Sequence, residues 1–284
     1  SRRITSDLRA LIQAYPQRYV VCEATANPQT YAAPDLCSSA FAFGLERHLA
    51  QAAGGDAKSI QAVADYFKTA PLSMATFASN HDIFAGKRLW DQVKGNTAQY
   101  KLAAASYLLL PGTPFIYYGE EVGMAGLPGL EGDLPIRGPM SWNASAHAGF
   151  TSGTPFRAVA PNAKHQNATA QLASAGSIHA FYKRMLTLRN TYPSLARGSY
   201  VAPFVQGKAM GFQRSLEGET SLVVINYATP PARVRVPSLP SGAQLSAADG
   251  RRSAPVRANA QGQTRITLPA QSVQVFTVSV PSKP

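Results

Sequence analysis

The feature that most constrains this chain is a repeated alternation. A segment with apolar residues at helical spacing is followed by a Pro or Gly break, then by a short apolar run that ends in polar side chains. Residues 4–12 carry the helical pattern, Pro16 breaks it, and Tyr19-Val20-Val21-Cys22 reads as a buried strand ending at Glu23. Residues 60–68 begin a second round, broken at Pro71, with residues 72–77 as the strand and Asn80-His81-Asp82 at its end. In a third, residues 97–110 predict a helix, Pro111-Gly112 stops it, and Phe115-Ile116-Tyr117-Tyr118 predicts a strand ending at Gly119-Glu120-Glu121. A long Gly/Pro-rich stretch then leads to an amphipathic helix over 178–190.

Helices alternating with short apolar strands predict parallel strands joined by crossover helices, with polar residues gathered at one end of the sheet. In a (β/α)8 barrel that end is the catalytic face. Beyond residue 197 the pattern changes to short β-rich runs, such as Ser221-Leu222-Val223-Val224-Ile225 and Arg233-Val234-Arg235-Val236, separated by Pro, Gly and Ser. We therefore expect an α/β part over 1–196 and an antiparallel β-sandwich over 197–284.

The chain has 27 Lys and Arg against 15 Asp and Glu, a net charge of +12. The basic residues are scattered, with no run longer than two, so no nucleic-acid partner is expected. No apolar stretch is long enough to span a bilayer, so no membrane partner is expected either, and the opening Ser1-Arg2-Arg3-Ile4 lacks the apolar core of a signal peptide. Cys22 and Cys37 are close enough along the chain to bridge, and two reduced thiols fit the sequence equally well. With two cysteines and isolated histidines, no zinc-site spacing is present and no metal ligand is identified.

Glu23 and Asp82 both follow predicted strands. Two carboxylates on rigid strand ends over a shared cleft suit glycosidic cleavage, in which one group protonates the leaving oxygen while positive charge develops on the sugar. On spacing alone a structural ion pair is the simpler explanation of such residues, and only longer motifs reverse that preference.

Those motifs resemble the α-amylase family of glycoside hydrolases. Phe77-Ala78-Ser79-Asn80-His81-Asp82 is similar to its Asn-His-Asp strand end, and residues 111–124, Pro-Gly-Thr-Pro-Phe-Ile-Tyr-Tyr-Gly-Glu-Glu-Val-Gly-Met, resemble its eighth barrel strand and the loop after it. Arg137-Gly138-Pro139-Met140-Ser141-Trp142 is similar to its Arg-Thr-Pro-Met-Gln-Trp signature, with Gly and Ser in place of Thr and Gln. Residues 188–195 resemble the end of its last barrel helix.

The resemblance implies the second half of a (β/α)8 barrel, strands five to eight, followed by the β domain. It implies Glu23 as general acid/base, Asp82 as the carboxylate that stabilises the transition state, and His81 and Asn80 as sugar-binding groups. Lys87, Arg88 and Tyr118 are candidates to line the cleft, Trp142 is a candidate for stacking, and Glu120 and Glu121 read as loop anchors. Asp7 lies in a helical pattern, so the family's nucleophilic Asp is expected outside these residues, on an N-terminal half that would be the chain's partner. Calcium, common in the family, would be held largely there too. The expected activity is retaining hydrolysis of α-1,4-glucosidic bonds in starch or maltooligosaccharides. Glucosyl transfer or isomerisation, and a non-catalytic carbohydrate-binding role, are the alternatives. Such substrates and a Cys22–Cys37 bridge would fit a periplasmic or secreted protein.

Overall fold

The computed structural model describes residues 2–250 and 254–280. Its first part contains four parallel β segments in chain order. Cys22 bridges Ala40, Phe41 bridges Ala75, and β1 (Ala75–Thr76) pairs in parallel with β2 (Thr113–Pro114). Helices Leu45–Ala53, Ala57–Thr69 and Thr97–Leu109 occupy the connections between the later segments. This is one side of a parallel barrel sheet and its helical coat.

The strands are shorter than the sequence suggests. Of residues 19–22 only Cys22 is paired, and of residues 72–77 only Ala75 and Thr76 sit in the ladder. The strand expected at 115–118 instead lies two residues earlier, at Thr113–Pro114. The displaced tyrosines are drawn to the following loop, where Tyr117 donates to the Ile136 carbonyl at 3.0 Å and Tyr118 to that of Gly138 at 2.5 Å. The Ala40–Phe41 segment and the helix Leu45–Ala53 add to the elements that the sequence pattern predicts.

Helix starts follow capping chemistry. The side chains of Asp56, Asn96 and Ser177 accept the backbone N–H groups of Ser59, Gln99 and Ala180, satisfying donors that a first turn leaves open. The helix Thr97–Leu109 buries nine of its residues, from Tyr100 to Leu109, because it is enclosed by the helices Leu45–Ala53 and Ile178–Thr191 and by the β domain. Gly112 ends the connection after it at φ +90°, where a Cβ would stand 1.9 Å from the Met74 carbonyl oxygen. Only glycine lets β2 approach β1 so closely.

The second part is an antiparallel sandwich. One sheet has the order β3 (Ser199–Gln206), β4 (Ala209–Leu216), β5 (Glu219–Asn226), β10 (Ser272–Ser279), β7 (Gln244–Ala247), β8 (Val256–Arg257), and the other pairs β6 (Ala232–Val236) with β9 (Thr264–Leu268). At its centre, along β4 and β5, the large sheet is buried on both faces. Val223 and Ile225 join the helical core, while Leu222 and Val224 pack on Val234, Val236, Ile266 and Leu268 of the small sheet. The alternation of β5 therefore serves two cores at once.

Polar contacts pin the two parts together. Tyr200 donates to the Ala64 carbonyl at 2.8 Å, and the Tyr227 hydroxyl meets Ser106 Oγ at 2.6 Å. The buried guanidinium of Arg214 bonds the carbonyls of Leu109, Gly198 and Ser199. Arg189 does the same for Leu108, Leu110, Gly112 and Ala196, holding the carbonyls that the end of the Thr97–Leu109 helix leaves unpaired. Burial lowers the pKa of both arginines, Arg189 to about 10 and Arg214 to about 9, so both remain cations at neutral pH. Cys22 and Cys37 form a disulfide with Cα atoms 5.8 Å apart, closing the loop that carries Glu23.

Candidate active site

The polar ends of the parallel segments share one edge of the sheet. Glu23 follows the Cys22 bridge directly and is exposed. Asn80, His81 and Asp82 follow β1, with the Ala40–Phe41 segment lying between β1 and Cys22 in the sheet. An aromatic row lines this region. Phe41 stacks edge-on against Phe77 and Phe115 at 5.7 and 4.8 Å, and Phe43 meets Phe77 and Phe84 at 5.3 and 5.4 Å. Tyr19 and Phe84 at its margins are 53% and 60% exposed, so this face is open at its edges.

Asp82 is the best-positioned carboxylate. The Asn80 side chain accepts the Asp82 backbone N–H at 2.8 Å, which fixes the turn after the strand. Arg137 then clamps it. Its Nη2 reaches Asp82 Oδ1 and Asp133 Oδ2, both at 2.7 Å, while Nε donates to the His81 carbonyl at 2.7 Å. Asp133 in turn accepts the Ile83 N–H at 2.8 Å, tying the far side of the clamp to the same turn. The His81 ring is exposed, with Nε2 3.6 Å from Asp82 Oδ1, too far for a hydrogen bond. The Arg137 clamp thus engages one of the two Asp82 carboxylate oxygens.

Arg88 is placed differently from the reading that put it on the cleft wall. It is 1% exposed, and its Nη1 donates to the Tyr118 carbonyl at 2.8 Å. Its Cζ lies 4.7 Å from the ring centroids of both Tyr117 and Tyr118, a cation held by two aromatic faces. Arg88 thus acts beneath Tyr118, whose own ring is 40% exposed beside the loop. Lys87 is exposed, and with Ile83 and Asp91 it lines a separate cavity of about 590 Å³ under the 126–136 loop. Trp142 is half exposed on the loop beyond Gly138.

Glu120 has no room for catalysis. It is 2% exposed and accepts three hydroxyls, from Ser79, Tyr107 and Tyr182, at 2.6 to 2.7 Å, while Tyr100 donates to its backbone carbonyl. Burial raises its pKa, and the three hydroxyls pull it part of the way back. Because Ser79 immediately precedes Asn80, this carboxylate locks the base of the Asn-His-Asp turn. Glu121 and Asp91 are also raised by burial, and Asp91 accepts the Gly126 N–H at 2.8 Å. Asp7 sits exposed within the helix Arg2–Gln13 and does not end a strand. Among the described residues no group of three His, Cys, Asp or Glu side chains is placed to hold a metal ion, and no helix is long and apolar enough to cross a membrane.

Arg137 and Asp133 were not assigned roles from sequence. Arg137 opens the Arg-Gly-Pro-Met-Ser-Trp motif, which was the available signal, but its partner lies 55 residues earlier in the chain.

Comparison with known proteins places the chain in a family. The chain is 31% identical over 206 residues to a probable oligo-1,6-glucosidase 3 of Bacillus subtilis, covering 58% of this chain and 36% of that protein. It is 34% identical over 150 residues to a trehalose synthase of Thermus thermophilus, covering 49% of this chain and 16% of the other. It spans little more than a third of the length of the oligo-1,6-glucosidase and about a sixth of the trehalose synthase. Among solved structures, an isomaltulose synthase from Erwinia rhapontici superposes at a TM-score of 0.72 and 20% identity, covering 98% of this chain and 58% of that one. The alpha-amylase from H. orenii gives 0.73 and 24%, covering 96% and 56%. These structural likenesses establish the fold: the second part of a barrel and the sandwich that follows it. Residues 6–198 match the description "Alpha amylase, catalytic domain", and the chain belongs to the alpha-amylase family.

Proposed function

We propose that this chain supplies the acid/base half of a retaining α-glucosidic active site, with Glu23 as proton donor and then base, and Asp82 as stabiliser of the oxocarbenium-like transition state. The observation that carries the reading is the clamped Asp82. Arg137, Asp133 and the Asn80 turn hold one strand-end carboxylate rigidly, while Glu23 stands exposed on the same sheet edge. A group that binds a sugar must not move when charge develops, and a group that exchanges protons with water must be reachable. Asn80 and His81 would contact the same sugar, and Tyr118, carried on Arg88, would border it.

The nucleophilic Asp, in this reading, comes from polypeptide outside these residues, packed against the aromatic row from Phe41 to Phe115. Of the other carboxylates considered, Glu120 is sealed by three hydroxyls and Asp7 lies on the helix Arg2–Gln13 and not at a strand end. Hydrolysis of α-1,4-linked glucans is the first substrate reading. The name of the oligo-1,6-glucosidase relative favours α-1,6 linkages instead, and the names of the trehalose and isomaltulose synthases favour a second reading, in which the glucosyl unit passes to another sugar. A periplasmic or secreted location is supported by the Cys22–Cys37 disulfide.

The test is product analysis with the complete barrel, incubated with maltoheptaose, isomaltose and sucrose. Shorter maltooligosaccharides without longer ones support α-1,4 hydrolysis. Glucose from isomaltose alone replaces α-1,4 with α-1,6 hydrolysis, and isomerised sucrose or longer maltooligosaccharides replace hydrolysis with the transfer reading. No turnover of any of the three by a folded, complete barrel overturns the enzymatic proposal.

A further inference from the structure

The net charge is concentrated where the glycosidic chemistry is not. Residues 197–284 hold ten Lys and Arg against three Asp and Glu. On the small sheet of the sandwich, Arg233, Arg235 and Arg265 all point outward and are exposed, while Val234, Val236, Ile266 and Leu268 between them face the core. In the β6–β9 register Arg235 stands directly opposite Arg265. Directly opposed residues of an antiparallel pair lie about 5 Å apart, and Arg233, two positions along, is about 7 Å from Arg235.

Like charges set opposite one another destabilise a ladder, and nothing in the core requires arginine at solvent-facing positions. Arg233, Arg235 and Arg265, with Asn259, Gln263 and Thr264, line a cavity of about 340 Å³, and no Asp, Glu or aromatic side chain is among its described lining residues. The absence of an aromatic platform from this lining argues against a neutral sugar ring, and no carboxylate is among the described residues that line it. The cavity is also held in shape. Arg235 Nη2 donates to Gln263 Oε1, its backbone N–H donates to Gln206 Oε1 at 2.8 Å, and Asn259 Oδ1 accepts the N–H groups of Gln261 and Gln263 at 3.0 and 2.9 Å.

We propose that this cavity is a binding site for a phosphoryl dianion, free or as a phosphate monoester. Planar guanidiniums match tetrahedral oxyanions with paired N–H donors, and a monoester is close to dianionic above its second pKa of about 6. A dianion between Arg235 and Arg265 turns their mutual repulsion into two attractions, and the side chains of Asn259, Gln263 and Thr264 add polar partners.

The experiment is isothermal titration calorimetry of the chain at pH 8, with ionic strength held constant by chloride. Inorganic phosphate and glucose 6-phosphate are titrated separately into the parent protein, into the double variant Arg235→Gln/Arg265→Gln, and into Arg257→Gln on the neighbouring strand β8. Saturable one-to-one binding, weakened at least tenfold in the double variant and unchanged in Arg257→Gln, supports the site. Because the double variant removes a repelling pair, its melting temperature should not fall, which shows that lost binding is not lost folding. Equal affinity for the two ligands assigns the site to the free ion, and tighter glucose 6-phosphate assigns it to a monoester. Absence of saturable heat with both ligands, or equal binding by the double variant, overturns the proposal. So does binding of duplex DNA without binding of phosphate.

Discussion

Glu120 lets the packing account be tested apart from catalysis. Its carboxylate is the shared acceptor of Ser79, Tyr107 and Tyr182, joining the strand end of β1 to the helices Thr97–Leu109 and Ile178–Thr191. In Glu120→Ala three buried hydroxyls lose their acceptor at about 1 kcal/mol or more each, and a cavity replaces the side chain. The expected loss is about 3 to 6 kcal/mol, or about 6 to 12 °C in melting temperature for a chain of this size. In Glu120→Gln the amide oxygen still accepts from the two tyrosines and Ser79 rotates to accept from the amide NH2, so the loss stays within about 1 kcal/mol.

The pH dependence separates the same two variants. Burial places the folded pKa of Glu120 above its ordinary value of 4.5. Its contribution to stability is therefore fully present below the unfolded pKa and is lost as pH rises through the folded pKa. Thermal unfolding followed by circular dichroism from pH 4 to 8 should show that decline in the parent and a flatter curve in Glu120→Gln. If Glu120→Ala and Glu120→Gln lower the melting temperature equally, the hydroxyl network is not what holds the turn, and the reasoning fails.

Other consequences follow from single residues. Arg189→Met strips four carbonyls of their donor and should cost about 3 kcal/mol, read by urea unfolding, whereas an effect below about 1 kcal/mol would mean that those carbonyls find other partners. Reducing the Cys22–Cys37 bridge, which closes a span of 15 residues, should lower stability by about 3 kcal/mol in the chain-entropy picture, and an unchanged melting temperature in dithiothreitol would contradict it. Arg137→Met should cost stability little, since the clamp is partly exposed, yet should lower kcat of the complete barrel about 10- to 100-fold by freeing Asp82. A loss confined to KM would assign Arg137 to substrate binding instead.

The helices were legible because their signals are local. Asp56, Asn96 and Ser177 cap segments whose apolar spacing is plain, and the observed bounds differ from the expected ones by three residues at most. The short parallel strands were harder. Two-residue ladders such as Ala75–Thr76 carry almost no periodicity, and the Ala40–Phe41 segment lies in a stretch that also reads as a turn. Displacing β2 to Thr113–Pro114 required knowing that Tyr117 and Tyr118 bond a loop twenty residues later. At the site, the residue types were visible but their orientation was not. Lys87 and Arg88 are adjacent in sequence, and the fold exposes one and buries the other between two tyrosine rings. The Arg137 clamp depended on contacts across 55 residues, which no local pattern encodes.

The most direct test of the central claim is the leaving-group dependence of Glu23→Ala in the complete barrel, measured with a maltooligosaccharide and with α-glucosyl fluoride, each with and without azide. An acid/base residue is needed to protonate a sugar leaving group but not fluoride, and azide can replace the water that the base would activate. The account predicts a loss of about 10²- to 10⁴-fold on the maltooligosaccharide, with fluoride turnover largely restored by azide. Equal losses on both substrates without azide rescue, or no loss on either, would show that Glu23 is not the acid/base of this site.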